Sequence, residues 1–208
     1  MNLRILTLFA GCLTGLAQLG FAQDVTYTGE AAVAKVNVLG VLNASIQDTG
    51  LLPSNGGSLS TELLAVNVPT LLDLHLLSAS TDGANGQTDA AASVTQVALT
   101  VAGISITASV LTSNATATCS PVVSGTSTIA NLKVNGLTIK VTGAPNQTIP
   151  LLVGSLVINE QISSVVNAPP LTSADMLVNA LHLKVLGLAD VAISSSHAAV
   201  SCSVHVRQ

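Results

Sequence analysis

The residues of this chain that could carry chemistry are a few histidines and carboxylates. The histidines are His75, His182, His197 and His205, and the acidic residues that could meet them include Glu160, Asp175 and Asp190. Such side chains on one face could bind a metal ion or transfer a proton. Their spacing matches neither an HExxH nor a CxxC signature, and no two histidines lie close in sequence. We therefore predict no metal site and no cofactor.

Serine is abundant, but its sequence context contains no hydrolase motif. No GxSxG segment occurs, and "SSSHAAVSC" places Ser196 directly beside His197. Successive side chains of a strand point to opposite faces, so these two residues cannot form a catalytic pair. We predict that the chain has no catalytic residues and is not an enzyme. The competing enzyme hypothesis requires His182, His197 and a carboxylate such as Glu160 or Asp190 to converge in the fold.

Two of these residues have a local pattern that predicts their surroundings. His182 alternates with Leu181 and Leu183 in "NALHLKV", so we expect it on the opposite face, in solvent or hydrogen-bonded to a strand neighbour. Glu160 follows the apolar residues of "LVINEQ". We expect it to end its strand in solvent, and the alternative is that a partner holds it.

The elements that must position these residues are strands. In "STIANLKVNGLTIKV", residues 127–141, Asn135 and Gly136 predict a type I′ hairpin turn. Period-two alternation places Lys133 and Lys140 in solvent. The apolar residues expected to face the core are Leu132, Val134, Leu137, Ile139 and Val141.

Strand-like runs recur along the chain between turn-rich segments such as "DTGLLPSNGG", "TDGANGQTD" and "GAPNQT". This spacing predicts an all-β fold, an antiparallel β-sandwich or open barrel, with an irregular β-helix as the alternative. The only helix signal is "STELLAV", residues 60–66, which could form a short turn at best. No fixed repeat or linker is visible, so we expect residues 23–208 to form a single β-rich domain.

The N-terminus predicts export. An apolar run follows Arg4 and closes on Gly20-Phe21-Ala22, which is typical of a signal peptide over residues 1–22. The alternatives are a retained membrane anchor and lipidation at Cys12, whose surroundings loosely resemble a lipoprotein cleavage box. No later run of 18 apolar residues follows, so we expect no transmembrane segment in the mature chain.

Composition excludes several classes of function. Both phenylalanines lie in residues 1–22, which leaves Tyr27 as the single aromatic residue of the mature chain. This composition therefore argues against modules that stack sugars or single-stranded nucleic acids on several aromatic faces. Ten acidic residues outnumber the basic ones, so we expect no nucleic-acid partner. The mean hydropathy of +0.65 argues against disorder.

After export, two cysteines remain, Cys119 and Cys202. An even pair in an oxidising compartment predicts one disulfide bond, and two separate buried thiols are the alternative.

Four blocks of the second half carry a family resemblance: "TATC" ending at Cys119, "STIANLKVNGLTIKVTGAPNQTI", "LVINEQ" and "VNALHLKVLGLADVAISSSHA". In content and order they resemble the bacterial extracellular family named choice-of-anchor P, and the resemblance extends back to about Ala31. It implies an exported bacterial domain that brings no catalytic residues and no ligand with it. The cysteine usage of the family agrees with a bond between Cys119 and Cys202.

The leading functional hypothesis is a secreted or cell-surface structural or adhesive β-domain, without catalytic activity, that could assemble with itself. Its partners would be an extracellular matrix or cell-surface component, or further copies. The alternative is a binding module for a small apolar or peptide ligand, held in an aliphatic cleft or along a sheet edge.

Overall fold

The computed structural model describes residues 21–206, and this part of the chain contains strands and turns but no helix. Residues 1–20, which hold most of the expected signal peptide and Cys12, and the side chain of His205 lie outside the described residues. The strands are β1 Phe21–Val38, β2 Leu42–Asp48, β3 Gly57–Val68, β4 Leu72–Ala84, β5 Gln87–Val101, β6 Ile104–Thr118, β7 Val122–Ala130, β8 Lys133–Val134, β9 Leu137–Thr138, β10 Gln147–Leu151, β11 Gly154–Ala168, β12 Leu171–Val185 and β13 Ala189–Val206.

The strands form two antiparallel sheets. Sheet A has the order β10-β11-β12-β13-β1-β2, and sheet B has the order β3-β4-β5-β6-β8-β9, with β7 also paired to β6. Strands β12, β13 and β1 of sheet A lie against β4, β5, β6 and β7 of sheet B. The all-β prediction is confirmed, and the arrangement is that of a β-sandwich, since the sheets do not close into a barrel. Within residues 21–206 no helix is present that could span a membrane.

The core between the sheets is aliphatic. Its largest fully buried side chains include Leu74, Leu99, Leu111, Leu156 and Ile193, and they come from strands of both sheets. The disulfide between Cys119 and Cys202 is present, with the two Cα atoms 5.7 Å apart. It joins the end of β6 to β13 and so connects the two sheets covalently, as the cysteine pair predicts.

Each sheet is bent along one row of residues, which we call the bend row. In sheet A, β1–β2, β1–β13, β11–β12 and β12–β13 each lack one ladder pair at this row. Beyond the gap the pairing continues in the same register. In sheet B the β4–β5 ladder is shifted at the same row. Left-handed backbone conformations occur along it, at φ values of 46° to 55°. The residues with positive φ are Gln47, Asn159 and Ser194 in sheet A, and Leu76, Gln96 and Asn131 in sheet B.

The bend row changes which residues of a strand face the core. In β12 the buried residues before the row include Val178 and Ala180, and after it they are Leu181 and Leu183. The inward positions are therefore even-numbered before the row and odd-numbered after it. The strands on either side of β12 each have a left-handed residue at this row, Asn159 in β11 and Ser194 in β13, and the alternation of β12 restarts in the other phase between them.

Two local predictions have mixed outcomes. The Asn135-Gly136 turn is confirmed, since both residues have positive φ and join β8 to β9. Lys133 and Lys140 are exposed as expected, but Leu137 is exposed rather than buried. The weak helix signal at residues 60–66 has no counterpart in the fold, because this segment is the middle of β3 and pairs with β4 on both sides of Leu64.

Candidate functional site

The charged cluster of the fold lies on the outer face of sheet A, at the bend row. Glu160 follows the row in β11 and faces Asn179 of β12, while His182 lies on the other side of the row, opposite Val157. The bend brings these side chains together on the outer face. Neighbouring outer-face residues are deeply buried here, with Ser195 only 2% exposed, so the surface is concave at this point.

His182 is held between two carboxylates. Its Nδ1 lies 2.5 Å from Glu160 Oε2, and its Nε2 lies 2.7 Å from Asp190 Oδ1. The amide of Asn179 donates to the same Glu160 oxygen at 2.7 Å, and Lys184 Nζ lies 3.6 Å from Glu160 Oε1. We call these five residues the His182 cluster. Its side-chain contacts connect β11, β12 and β13, in addition to the backbone hydrogen bonds of the sheet.

The electrostatics of the cluster favour charged forms. The hydrogen bond from His182 lowers the pKa of Glu160 from 4.5 to about 2, against the opposing effect of burial, with further contributions from Asn179 and Lys184. For His182, burial of the ring lowers the pKa, but the hydrogen bonds to Glu160 and Asp190 outweigh it and raise the pKa above 6.5. The two carboxylates therefore favour the imidazolium form of the ring, in which both nitrogens donate.

This arrangement limits what His182 can do chemically. A general base or a metal ligand needs a free ring nitrogen with a lone pair, and both nitrogens of His182 point at carboxylates. Among residues 21–206 no group of three or more His, Cys, Asp or Glu side chains is placed to hold a metal ion. The cluster is an ion network that fastens three strands across the bend row.

The predicted position of Glu160 is wrong. It does not end a strand in solvent, because β11 continues to Ala168 and the residue is only 7% exposed. The alternative, a carboxylate held by partners, is what the fold contains. The expected strand-neighbour hydrogen bond of His182 is found, since Glu160 lies on the adjacent strand.

The other histidines are separate from this cluster. His197 Nε2 contacts Asp175 at 3.2 Å, and His75 Nε2 lies 3.4 Å from Asp73. The constellation required by the enzyme hypothesis is thus only partly assembled: His182 meets Glu160 and Asp190, while His197 pairs with a different carboxylate.

A serine network between the sheets was not predicted from the sequence. Ser194 Oγ donates to the carbonyl of Ala92 at 2.9 Å, and Ser113 Oγ lies 2.7 Å from Ser196 Oγ. These hydroxyls point into the sandwich, whereas His197 lies on the outer face with Asp175. Ser196 and His197 therefore point to opposite faces, as the strand pattern predicts.

One edge of sheet A is only partly covered. Strand β10 pairs with β11 no further than Ile158. At Gln161 the side chain of Asn146 makes the contacts that a neighbouring strand would make. Its Oδ1 accepts from the backbone N–H of Gln161 at 2.8 Å, and its Nδ2 donates to the backbone carbonyl of Gln161 at 3.2 Å. Beyond it, residues 162–168 pair with β12 alone, and every one of them is exposed. We call residues 162–168 the β11 edge segment.

The β11 edge segment reads "ISSVVNA" and contains no charged residue. Its exposed apolar side chains are Ile162, Val165 and Val166. Natural edge strands are usually protected by charge, proline, a bulge or a covering loop. Strand β10 at the same side carries Pro150, but the edge segment has no such protection within its seven residues.

A second apolar feature lies where the bend row reaches the edge of sheet B. Leu63, Leu64, Leu76 and Leu77 line a groove of about 510 Å³, together with Glu62 and Ser78. Leu64 is 78% exposed and Leu76 is 58% exposed. The groove is open to solvent, and its lining is part aliphatic and part polar, so its leucines could contact an apolar chain.

Comparison of the chain with protein-family models, with curated proteins and with solved structures found no match. Function therefore has to be argued from the geometry described above.

Proposed function

We propose that this protein is an exported structural or adhesive β-domain without catalytic activity, which assembles with further copies of itself at or outside the cell surface. The single observation that carries the proposal is the uncharged, uncovered β11 edge segment. An exposed strand edge offers a row of backbone donors and acceptors to another strand. Within residues 162–168 neither charge nor proline opposes that pairing.

Export is supported by the disulfide between Cys119 and Cys202, because such bonds form and persist in oxidising compartments. The signal-like pattern of residues 1–22 and the resemblance to the choice-of-anchor P family point the same way. Under this proposal the partners are matrix or cell-surface components, or further copies of the chain.

The lack of catalysis is supported by the geometry of the His182 cluster. Its imidazole is engaged at both nitrogens, and the carboxylates beside it are occupied by the ring, by Asn179 and by Lys184. Such a network stabilises the bent sheet rather than presenting a reactive group to a substrate.

The experiment is light scattering on size-exclusion fractions of the oxidised protein over a wide concentration range, together with binding to whole cells and matrix preparations. The proposal predicts assemblies that grow with concentration, or retention on those surfaces. A protein that stays monomeric at every concentration and binds neither surface would overturn it.

A second candidate function is favoured by the leucine groove of sheet B. Its open aliphatic lining could accept a small apolar molecule or an apolar peptide. An environment-sensitive dye such as anilinonaphthalene sulfonate tests this function. We expect its fluorescence to rise with the folded protein and to fall with Leu64→Ser, whereas Leu152→Ser, at a fully exposed turn residue, should leave it unchanged.

A further inference from the structure

The backbone direction along the β11 edge segment follows from the Asn146 contact. Asn146 reaches both the N–H and the carbonyl of Gln161, so these groups point away from β12. Backbone direction alternates along a regular strand, and therefore Ser163, Val165 and Asn167 point their N–H and carbonyl groups to the same open side. Within residues 21–206 no strand pairs with them there.

The row of free backbone groups in the β11 edge segment is blocked at both ends. Gln161 is capped by Asn146, and Pro169 has no backbone N–H to donate. The three residues Ser163, Val165 and Asn167 are thus the whole set of free edge positions, and Val165 is at their centre. A partner strand that satisfies all of them has to match this short, symmetric set.

Resting on the proposed function, we infer that two copies of the chain pair through their β11 edge segments, antiparallel about a two-fold axis at Val165. In this register Val165 faces its own copy, and Ser163 faces Asn167 of the other copy. All three free positions are then paired, by about six backbone hydrogen bonds in the antiparallel pattern. A shift of the register by two residues leaves at least one position opposite a capped residue or a proline.

A second copy is favoured as the occupant because the segment is complementary to itself. The pairing places Val165 against Val165, and Ser163 against the amide of Asn167, with no charge opposite another charge. On the outer face Ile162 lies opposite Ala168 of the other copy. A closed two-fold pair also uses the same surface on both copies, which is the commonest arrangement among oligomers of identical chains.

The neighbouring edge of sheet B is compatible with this pairing. Strand β7 lies beside β11 and β12, and the side chain of Gln161 donates to the carbonyl of Gly125 in β7 at 3.1 Å. Residues 122–130 contain no charged side chain. When the β11 edges meet, the β7 edges approach on the same side of the sandwich without charge repulsion.

Cysteine cross-linking tests the register directly. A hydrogen-bonded antiparallel pair has Cα atoms about 5.5 Å apart, within the range that a disulfide spans. In a Cys12→Ser background of the full chain, Val165→Cys should give a covalent dimer on mild oxidation. Ile162→Cys is the matched control, because residue 162 lies about 20 Å along the strand from its own copy.

Three outcomes would overturn the inference. Equal cross-linking of Val165→Cys and Ile162→Cys would indicate random collision, and no cross-linking of Val165→Cys in a protein that scatters as an assembly would place the contact elsewhere. In the second case the proposed self-assembly stands while the edge pairing fails. A wild-type protein that remains monomeric removes both the pairing and the self-assembly, and leaves only surface adhesion.

A charge variant gives an independent readout that does not need oxidation. Val166→Lys adds a positive charge to an exposed position of the segment, and it should raise the concentration for half-assembly at least about tenfold. Leu152→Lys makes the same change in the exposed β10–β11 turn and should leave assembly unchanged. Circular dichroism of both variants checks that the sandwich is intact. Equal effects of the two variants would contradict the assignment to β11.

Discussion

Replacing Glu160 with glutamine tests the role of the His182 cluster. The substitution keeps the size of the side chain and removes its negative charge. His182 then retains Asp190 as its only carboxylate partner, at 2.7 Å, and the buried ring loses the counter-charge at Nδ1. We expect Glu160→Gln to destabilise the fold near pH 5.5 and to leave the arrangement of strands unchanged.

The size of the effect follows from the pKa of Glu160. Its hydrogen bond with His182 is the largest cause that lowers this pKa from 4.5 to about 2, although burial opposes it. A difference of about 2.5 between the folded and unfolded pKa corresponds to a free energy of about 3 kcal/mol. The same contact raises the pKa of His182, so the two effects are not added. Glu160→Gln should therefore cost about 2 to 3 kcal/mol at pH 5.5.

The dependence on pH has a definite sign. Because the folded pKa of Glu160 is depressed, its contribution is fully present above pH 4.5 and is lost as the pH falls toward 2. Because the folded pKa of His182 is raised, its contribution is present below pH 6.5 and is lost as the pH rises through the folded value. Wild-type stability should be greatest between these two limits.

The assay is urea unfolding of the oxidised protein at pH 2.5 and pH 5.5. Wild type and Glu160→Gln should differ most at pH 5.5, and the difference should fall below about 1 kcal/mol at pH 2.5, because a carboxyl with a pKa of 4.5 unfolded and about 2 folded loses most of its contribution between these values. Glu62→Gln, at an exposed position of β3, serves as the control and should change stability by less than about 0.5 kcal/mol. A difference that persists undiminished at pH 2.5, or one no larger than the control at pH 5.5, would refute the reasoning.

Three further outcomes are expected. Reduction of the Cys119–Cys202 bond, which closes a span of 83 residues, should lower the free energy of unfolding by about 4 kcal/mol in the chain-entropy model, and an unchanged melting transition in reductant would contradict this. Gly125→Ala should destabilise by about 1 to 3 kcal/mol, because the added Cβ overlaps the Met176 side chain; Met176→Ala in the same chain should recover part of the loss, and additive losses would argue against that contact. Because we propose that the chain is exported, we expect the mass of the mature protein to correspond to removal of residues 1–22, and an intact N-terminus would refute cleavage there.

The fold class could be predicted because its signals are local. Alternation and turn residues act over a few positions, and the Asn135-Gly136 turn formed as its sequence requires. The disulfide was predictable from the count of cysteines and the expected compartment. These features need no knowledge of which strands lie side by side.

The bend row was not predicted because it is formed by residues on several neighbouring strands, which the sequence alone does not align with one another. A single left-handed residue in one strand is a weak sequence signal, especially at Leu76 or Gln96, whose residue types do not favour positive φ. The sequence of β12 does contain a signal of the bend row, because the buried positions change from Val178 and Ala180 to Leu181 and Leu183. Two adjacent apolar residues in an otherwise alternating strand mark such a change of phase.

The His182 cluster was missed for the same reason. Glu160 and His182 are 22 residues apart in sequence and meet only because the sheet bends between their positions. A regular sheet with the same register would place them on opposite faces, because Glu160 pairs with Asn179 and Asn179 is three residues from His182. Without the bend, a glutamate after an apolar run is reasonably expected in solvent, which is why that prediction failed.

We propose that this protein forms assemblies through an unprotected strand edge. The most direct test of this proposal is light scattering of the oxidised wild type and of Val166→Lys, measured side by side from low to high concentration. We expect the average mass of the wild type to rise from monomer toward dimer with concentration, and the same rise to need a higher concentration for the variant. Two superimposable curves, whether both monomeric or both assembled, would contradict it.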